Sequence, residues 1–327
     1  MVFKRVLGAF GVGGPDIGTV LDGDPVLPGG TLTGQVHLRG GSSDLEIEHL
    51  TLELVAHVEA EHAEGETHGA VVFDRTTLAG GFRLSAGEEA SRSFSVTVPW
   101  ETPVTELYGQ PLGVVLGLRT ELAVAGAKDA GDLDPLAVRP LPVQEAVLEA
   151  FGQLGFGFTS ADLELGHIRG TWQQLPFYQE IELAPPPGYV YAAGEIELTF
   201  LAGPQEVEVV LEADKRCGPF GDGHDAVHRF TVAHHGVAQV DWAAEVEGWL
   251  RQLLGHREPA PSKDGHEHGH TDHGHDGRHR SGPGAGAVAA GAAAGVAVGV
   301  VGGMVAAEVV DEIGDAFEGD EEEDGEE

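Results

Sequence analysis

The sequence predicts an all-β protein: two antiparallel β-sandwiches in tandem, short helices beside them, and a mostly disordered C-terminal tail. Three observations predict it. Apolar and polar residues alternate over many short runs, the period of a half-buried strand. Glycine, proline and serine clusters break those runs at short intervals with no long helical stretch between them, which argues against a parallel α/β sheet. After Leu254 the composition turns to histidine, glycine, alanine and acid, none of which builds a core.

The elements follow in order. Lys4-Arg5 precedes nine uncharged residues, a loose imitation of an export signal, but four of the nine are glycine and no small-x-small cleavage site follows. This start is read as a strand and a glycine turn. Thr31 to Leu38 alternates strictly, with Leu32, Gly34, Val36 and Leu38 on one face. From Leu45 to Val58, Ile47, Leu50, Leu52 and Leu54 set a buried face and Glu48, Thr51 and Glu53 a wet one. The skip from Ile47 to Leu50 predicts a bulge or bend. Strands around Val71 and Phe73, Phe82 and Leu84, and Phe94 to Val98 come next, and Pro99 stops the last because it cannot donate to a ladder. Val114 to Val124 alternates again.

Gly126 to Pro142 is polar and proline-rich, as a connection between domains is. Val143, Val147, Leu148, Phe151 and Leu154 then recur at helical spacing, with Pro142 in the first turn, where a missing N–H does no harm. A second strand-rich block runs from Phe156 to about Val240, with pieces at Glu180–Leu183, Glu195–Phe200, Glu206–Glu212 and Val227–Val232. Asp241 stands as the N-cap of a closing helix through Trp242, Val246, Trp249, Leu250 and Leu253. The predicted division is residues 1–125 for the first sandwich, 126–155 for the linker and short helix, 156–255 for the second sandwich with its helix, and 256–327 for the tail. The blocks share a weak likeness: Gly30 to Leu38 followed by Glu48 to Leu54 resembles Gly194 to Phe200 followed by Glu206 to Glu212, each a glycine-led strand, a turn and a partner strand.

Charge narrows the partners. With 54 acidic against 18 basic side chains the chain carries −36, and no basic stripe exists to replace counterions on phosphates, so nucleic acid is excluded as a partner. One cysteine, Cys217, rules out an internal disulfide framework and makes the cytoplasm the expected compartment.

Within the tail, His266, His268, His270, His273 and His275 are dense enough to wrap a loosely bound Zn²⁺ or Ni²⁺, against the alternative of a plain hydrophilic linker. His266-Glu-His-Gly-His270 spells the metalloprotease string, which works only on a helix, and this glycine-studded stretch is a poor helix former. Gly282 to Ala307 holds 26 uncharged residues in which Gly291, Gly295, Gly299 and Gly303 fall every four positions, a face for close helix packing. Its six valines contribute only about −2 to −4 kcal/mol towards insertion, so weak self-association or peripheral membrane association stands beside a disordered leash. Glu308 to Glu327 has 12 acidic residues and solubilises the end.

Catalytic signatures are missing. There is no G-x-x-x-x-G-K-[ST] loop and no G-x-S-x-G elbow, Cys217 is read as an incidental thiol, and no cofactor is required. His57, Glu59, Glu61, His62, Glu64, Glu66 and His68 crowd one hairpin, either as a metal site between strands or as a solvated acidic edge that blocks sheet pairing.

Several segments together carry a family resemblance: Phe3-Lys-Arg-Val-Leu-Gly-Ala-Phe-Gly-Val-Gly13, Pro28 to Gly40, Ile47-Glu-His-Leu-Thr-Leu-Glu-Leu54, Arg119-Thr-Glu-Leu122, Asp132-Leu-Asp-Pro-Leu-Ala-Val-Arg-Pro140 and Leu175-Pro-Phe-Tyr-Gln-Glu180. In these the chain resembles the bacterial sporulation-control proteins of the stage-zero M type from about Met1 to Leu254. The resemblance implies an arrestin-like pair of β-sandwich domains and a non-enzymatic regulatory role in sporulation, development or stress, exercised through protein partners, and it supplies no catalytic residues. The rival expectation is a metal-handling or envelope-associated protein that works through its tail.

Overall fold

The first block folds from β1 (Asp16–Leu21), β2 (Thr31–Arg39), β3 (Leu45–His62), β4 (Gly65–Ala79), β5 (Phe82–Leu84), β6 (Glu89–Thr97), β7 (Glu106–Leu107), β8 (Gln110–Pro111), β9 (Leu116–Val124) and β10 (Ala130–Pro135). Helix α1 (Pro142–Gln153) leads to β11 (Gly157–Leu165), β12 (Phe177–Ala184), β13 (Ile196–Ala202), β14 (Glu206–Ala213), β15 (Ala226–Ala233), a 3-10 turn and α2 (Trp242–Leu254). This computed structural model describes residues 14–62, 65–190, 193–213 and 226–255. They are mostly strand, in several sheets, as the alternation requires.

Two sheets face each other in the first block. The order β1-β2-β6 makes one of them, and Ile17, Leu32, Val36, Leu38 and Phe94 project from it into a core. Opposite lie Ile47, Leu50, Leu52 and Leu54 of β3 with Leu118 and Leu122 of β9. Each such side chain, fully buried, contributes roughly 1.5–3 kcal/mol over leaving it in water. The register shift between Ile47 and His49 is the predicted bulge or bend, and it keeps Ile47 and Leu50 in the same core.

Three details differ from the sequence-based expectation. Thr51 and Glu53, expected to be wet, are 5% and 0% exposed, because β3 is a central strand whose outer face is roofed by side chains of β4 and β9. The stretch expected to be connection contributes β10, which pairs with β9 from Ala130↔Leu122 to Pro135↔Gly117. Its Asp132 carboxylate accepts the Thr19 backbone N–H at 2.7 Å, tying β1 to β10. The apparent repeat is not a repeat of topology either. β13 and β14 are hydrogen-bonded neighbours, whereas β2 lies between β1 and β6 and β3 belongs to the other sheet. Strand alternation alone produced the likeness.

The large sheet runs through both blocks in the order β10-β9-β3-β11-β12-β13-β14-β15. β3 makes this possible by its length of 18 residues. Its pairing with β9 ends at Ala56↔Leu116, and just beyond, at Glu59, β11 takes over the vacated edge in parallel through Glu164.

The second core lies between this extension and the helices. Ile181, Leu183, Ile196, Leu198, Val209 and Leu211 meet Val147 and Phe151 of α1 and Val246, Trp249 and Leu250 of α2. Pro142 is the first residue of α1, and the Gln144 side chain accepts the Leu141 N–H at 2.8 Å, satisfying one donor of that end. Asp241 caps α2 as expected, accepting the Ala244 N–H at 3.1 Å.

The cores interlock across the seam. Leu163, Leu175 and Phe177 of the second block are buried in the first core, and Val104 and Leu112 of the first block in the second. Gln179 bonds both polar atoms of the Val104 backbone, at 2.9 Å to the N–H and 2.8 Å to the carbonyl. Glu101 accepts the backbone N–H groups of Gln174 and Leu175. Burial raises the Glu101 pKa despite those two donors.

Candidate functional site

Alternation along β11 to β14 sends one set of side chains into the second core and the other to the opposite face. That opposite set is strongly acidic. Cross-strand register places Ser160 beside Glu182, Asp162 beside Glu180 and Glu164 beside Tyr178. It continues through Glu182↔Glu197 and Glu197↔Glu212. At the seam Glu164 meets Glu59, and Glu59 meets His68 of β4. The result is a strip of carboxylates across five neighbouring strands, from β3 through β11, β12 and β13 to β14, spanning both blocks, with His68 of β4 at its edge.

Half-burial and mutual repulsion set its chemistry. Desolvation first, then the charges of Glu197, Asp162, Glu164 and Glu212, push the Glu180 pKa up to about 9. Desolvation followed by Glu212 and Glu182 lifts Glu197 to about 7. The Tyr178 phenol is raised by burial and then by Glu180 and Glu164. Like charges this close cannot all ionise, so near neutrality the strip holds protons that an isolated carboxylate would release. Ser160 Oγ donates to Glu182, and the Arg229 guanidinium at the β15 end serves Glu208 at 3.5 Å and the Gly170 carbonyl.

One oxygen from each of Asp162, Glu164 and Glu180 lies within 4.8 Å of the others. Among the described residues this is the one trio with the spacing to hold a metal, and its all-oxygen donors suit a hard divalent cation.

Further along β3, Glu53 is a different case. Fully buried, it is bracketed in register by Arg75 of β4 and Arg119 of β9, and it pairs with both guanidinium groups. Here a carboxylate is neutralised on both sides, as a buried charge must be. At the crowded hairpin, the His57 and His68 rings stack with centroids 5.5 Å apart, and His68 Nδ1 is 3.5 Å from Glu59. The side chains of Glu61, His62, Glu64 and Glu66, the other members of that hairpin cluster, lie outside the described residues.

An apolar groove lies on the other side of the second block. It encloses about 450 Å³ between the β7–β8 hairpin, α1 and the start of β11, with Leu107, Leu112, Phe151, Phe156, Ile181 and Leu183 on its floor.

The sequence profile of the SpoOM protein family matches residues 3–217. The chain belongs to the SpoOM protein family. Sporulation-control protein spo0M of Bacillus subtilis (strain 168) is 32% identical to it over 215 residues, which is 65% of this chain and 81% of that protein. The crystal structure of Spo0M from Bacillus subtilis matches with a TM-score of 0.64 at 27% identity, covering 74% of this chain and 98% of that one. The SpoOM membership agrees with the resemblance seen in the quoted segments, and the solved relative agrees with the all-β, multi-sheet class. No helix among the described residues is long and apolar enough to cross a membrane.

The tail positions singled out in this SpoOM-family chain, His266, His268, His270, His273 and His275 together with Gly291, Gly295, Gly299 and Gly303, lie outside the described residues. So do Cys217, the start at Met1 to Gly13, and the Glu64 turn of the hairpin. The carboxylate strip was missed as a site. Its signal was present as acids at every second position, Asp162 and Glu164, Glu180 and Glu182, Glu195 and Glu197, but only pairing order brings them side by side.

Proposed function

We propose that this chain is a regulatory protein-interaction module of sporulation or an equivalent developmental programme, acting in the cytoplasm without catalysis and without a required cofactor. Membership of the SpoOM family and the printed role of its Bacillus subtilis relative, sporulation control, support the pathway. The single structural observation that carries the interaction is the strip from Glu59 to Glu212. The charges that act most on its centre are carboxylates, and it crosses the seam, so a partner bound there touches both halves. A basic protein surface is the chemistry that relieves this repulsion.

The test is a full-length variant with Glu180→Gln, Glu182→Gln and Glu197→Gln. Proteins captured by the wild type are expected to be lost at raised salt and to be absent with the variant, and a strain lacking the gene is expected to be rescued by the wild type alone. Equal capture and equal rescue by the variant would overturn the proposal.

A further inference from the structure

The groove beside α1 gathers three features that packing alone does not explain. β7 and β8 are joined by Tyr108 and Gly109, with φ of 52° and 73°, and Tyr108 is the one non-glycine with positive φ among the described residues. Such a turn favours Asn or Gly in both places, so a tyrosine there is strained. Burial offsets little of that strain, because the residue is 64% exposed. In β11, Phe158 pairs with Leu183 and Ser160 with Glu182, which makes Thr159 the extra residue of a bulge. Without the bulge Phe158 would share the strip face with Ser160. With it, Phe158 stands opposite Leu183 on the groove side and stays 50% exposed. Gly152, in the last turn of α1, also lines the groove, and a Cβ there would meet no atom within 4 Å. A glycine inside a helix weakens it, and this one relieves no clash. Strained residues and bulges of this kind collect where a ligand is held.

Size and lining define the ligand. The groove's volume of about 450 Å³ falls within the range of roughly 300–1,000 Å³ for small-molecule sites, and its floor is aliphatic and aromatic. The charge at its edge has one sign. Glu149 of α1 is the one charged residue among the described residues that line it. Its carboxylate accepts the neutral Gln153 amide at 3.2 Å, which leaves the charge in place. Glu145, one turn earlier, accepts the Tyr108 hydroxyl, so both carboxylates act on the same phenol. An anion would set its charge beside Glu149 with no described cation in the lining to answer it. A cation meets two carboxylates and the rings of Tyr108 and Phe158, all of which attract positive charge.

We propose that this groove is a binding site for an organic cation with an apolar body, of the alkylammonium class. The hydrocarbon lies on the floor formed by Phe151, Phe156, Ile181 and Leu183, and the ammonium group sits at the mouth against Glu149, Glu145 and the Tyr108 ring. The site faces the other way from the carboxylate strip and is independent of any partner bound there.

Calorimetric titration of the full-length protein with octyltrimethylammonium, octyl sulfate and octanol, each kept below its limit of micelle formation or solubility, tests the assignment. The cation is expected to bind once per chain, at least about tenfold more tightly than either of the others. Glu145→Gln/Glu149→Gln is expected to bring its affinity down to that of octanol. Gly152→Leu fills open space and installs a better helix former, so it is expected to keep or raise the melting temperature while abolishing saturable binding of the cation. Phe158→Ser, at an exposed position, is the second groove variant and is expected to weaken binding at least about threefold. The variant with Glu180→Gln, Glu182→Gln and Glu197→Gln is expected to leave the affinity unchanged. Octyl sulfate or octanol binding as tightly as the cation, no saturable binding, or cation binding that survives both groove variants would overturn the proposal. So would loss of binding in the strip variant, which would place the cation on the strip instead.

Discussion

Single residues here divide by whether their charge is answered. Glu53 is answered twice, by Arg75 and Arg119. Glu53→Ala leaves the 18%-exposed Arg119 without its partner, and the expected loss is about 3 kcal/mol in denaturant unfolding. A loss under about 1 kcal/mol would show that the triad is solvent-screened after all. Glu180 is the opposite case. In the unfolded chain it and Glu197 ionise near the ordinary carboxylate value of about 4.3, but in the folded protein only near about 9 and about 7. Their neutral forms favour folding, so that contribution is complete below the unfolded value and is lost as pH rises through 7 and then 9. Melting temperature is expected to fall from pH 6 to pH 9. Glu180→Gln is expected to raise it by about 2 °C or more at pH 8.5 and to flatten the profile. A wild-type melting temperature that climbs over that range contradicts the protonated strip.

Elements are joined chiefly by β3, whose 18 residues outlast β9 and offer a free edge to β11. That seam rests on one parallel bridge, so side chains must reinforce it. Gln179 does so from β12 by holding both backbone atoms of Val104, and Phe73 of β4 meets Phe177 edge-on at 5.5 Å. Gln179→Leu keeps the volume but strands a buried donor and a buried acceptor, at about 1–3 kcal/mol each. The expected cost is therefore at least about 2 kcal/mol, read by urea unfolding. If the variant matches the wild type, water or a shifted loop satisfies Val104 and the clamp is incidental.

For the whole molecule, both cores close without any residue beyond Leu254, among those described. A chain ending at Gly255 is expected to keep its melting temperature within about 2 °C of the full-length value, because nothing in either core is removed. A larger drop would mean that residues 256–327 pack on the folded part. The same truncation brings the net charge closer to neutral, since Glu308 to Glu327 alone carries 12 acids, and so is expected to lower solubility near the pI without lowering stability.

Alternation, proline and caps determined the local structure from the residues alone: strands over Thr31 to Leu38 and Leu45 to Val58, within the observed Thr31–Arg39 and Leu45–His62, the irregularity after Ile47, α1 starting at Pro142 and α2 capped by Asp241. Those signals act over a few residues, and the chain carries them wherever it goes. Three things were decided only in three dimensions. Glu53 became buried because two arginines distant in sequence cover it, 130–135 became a strand because β9 had an open edge, and scattered acids became one strip because β11 pairs with β3. Period-two patterning tells which face a residue takes but not which strand lies beside it, and both the charge balance of a sheet face and the chemistry it can perform depend on that neighbour.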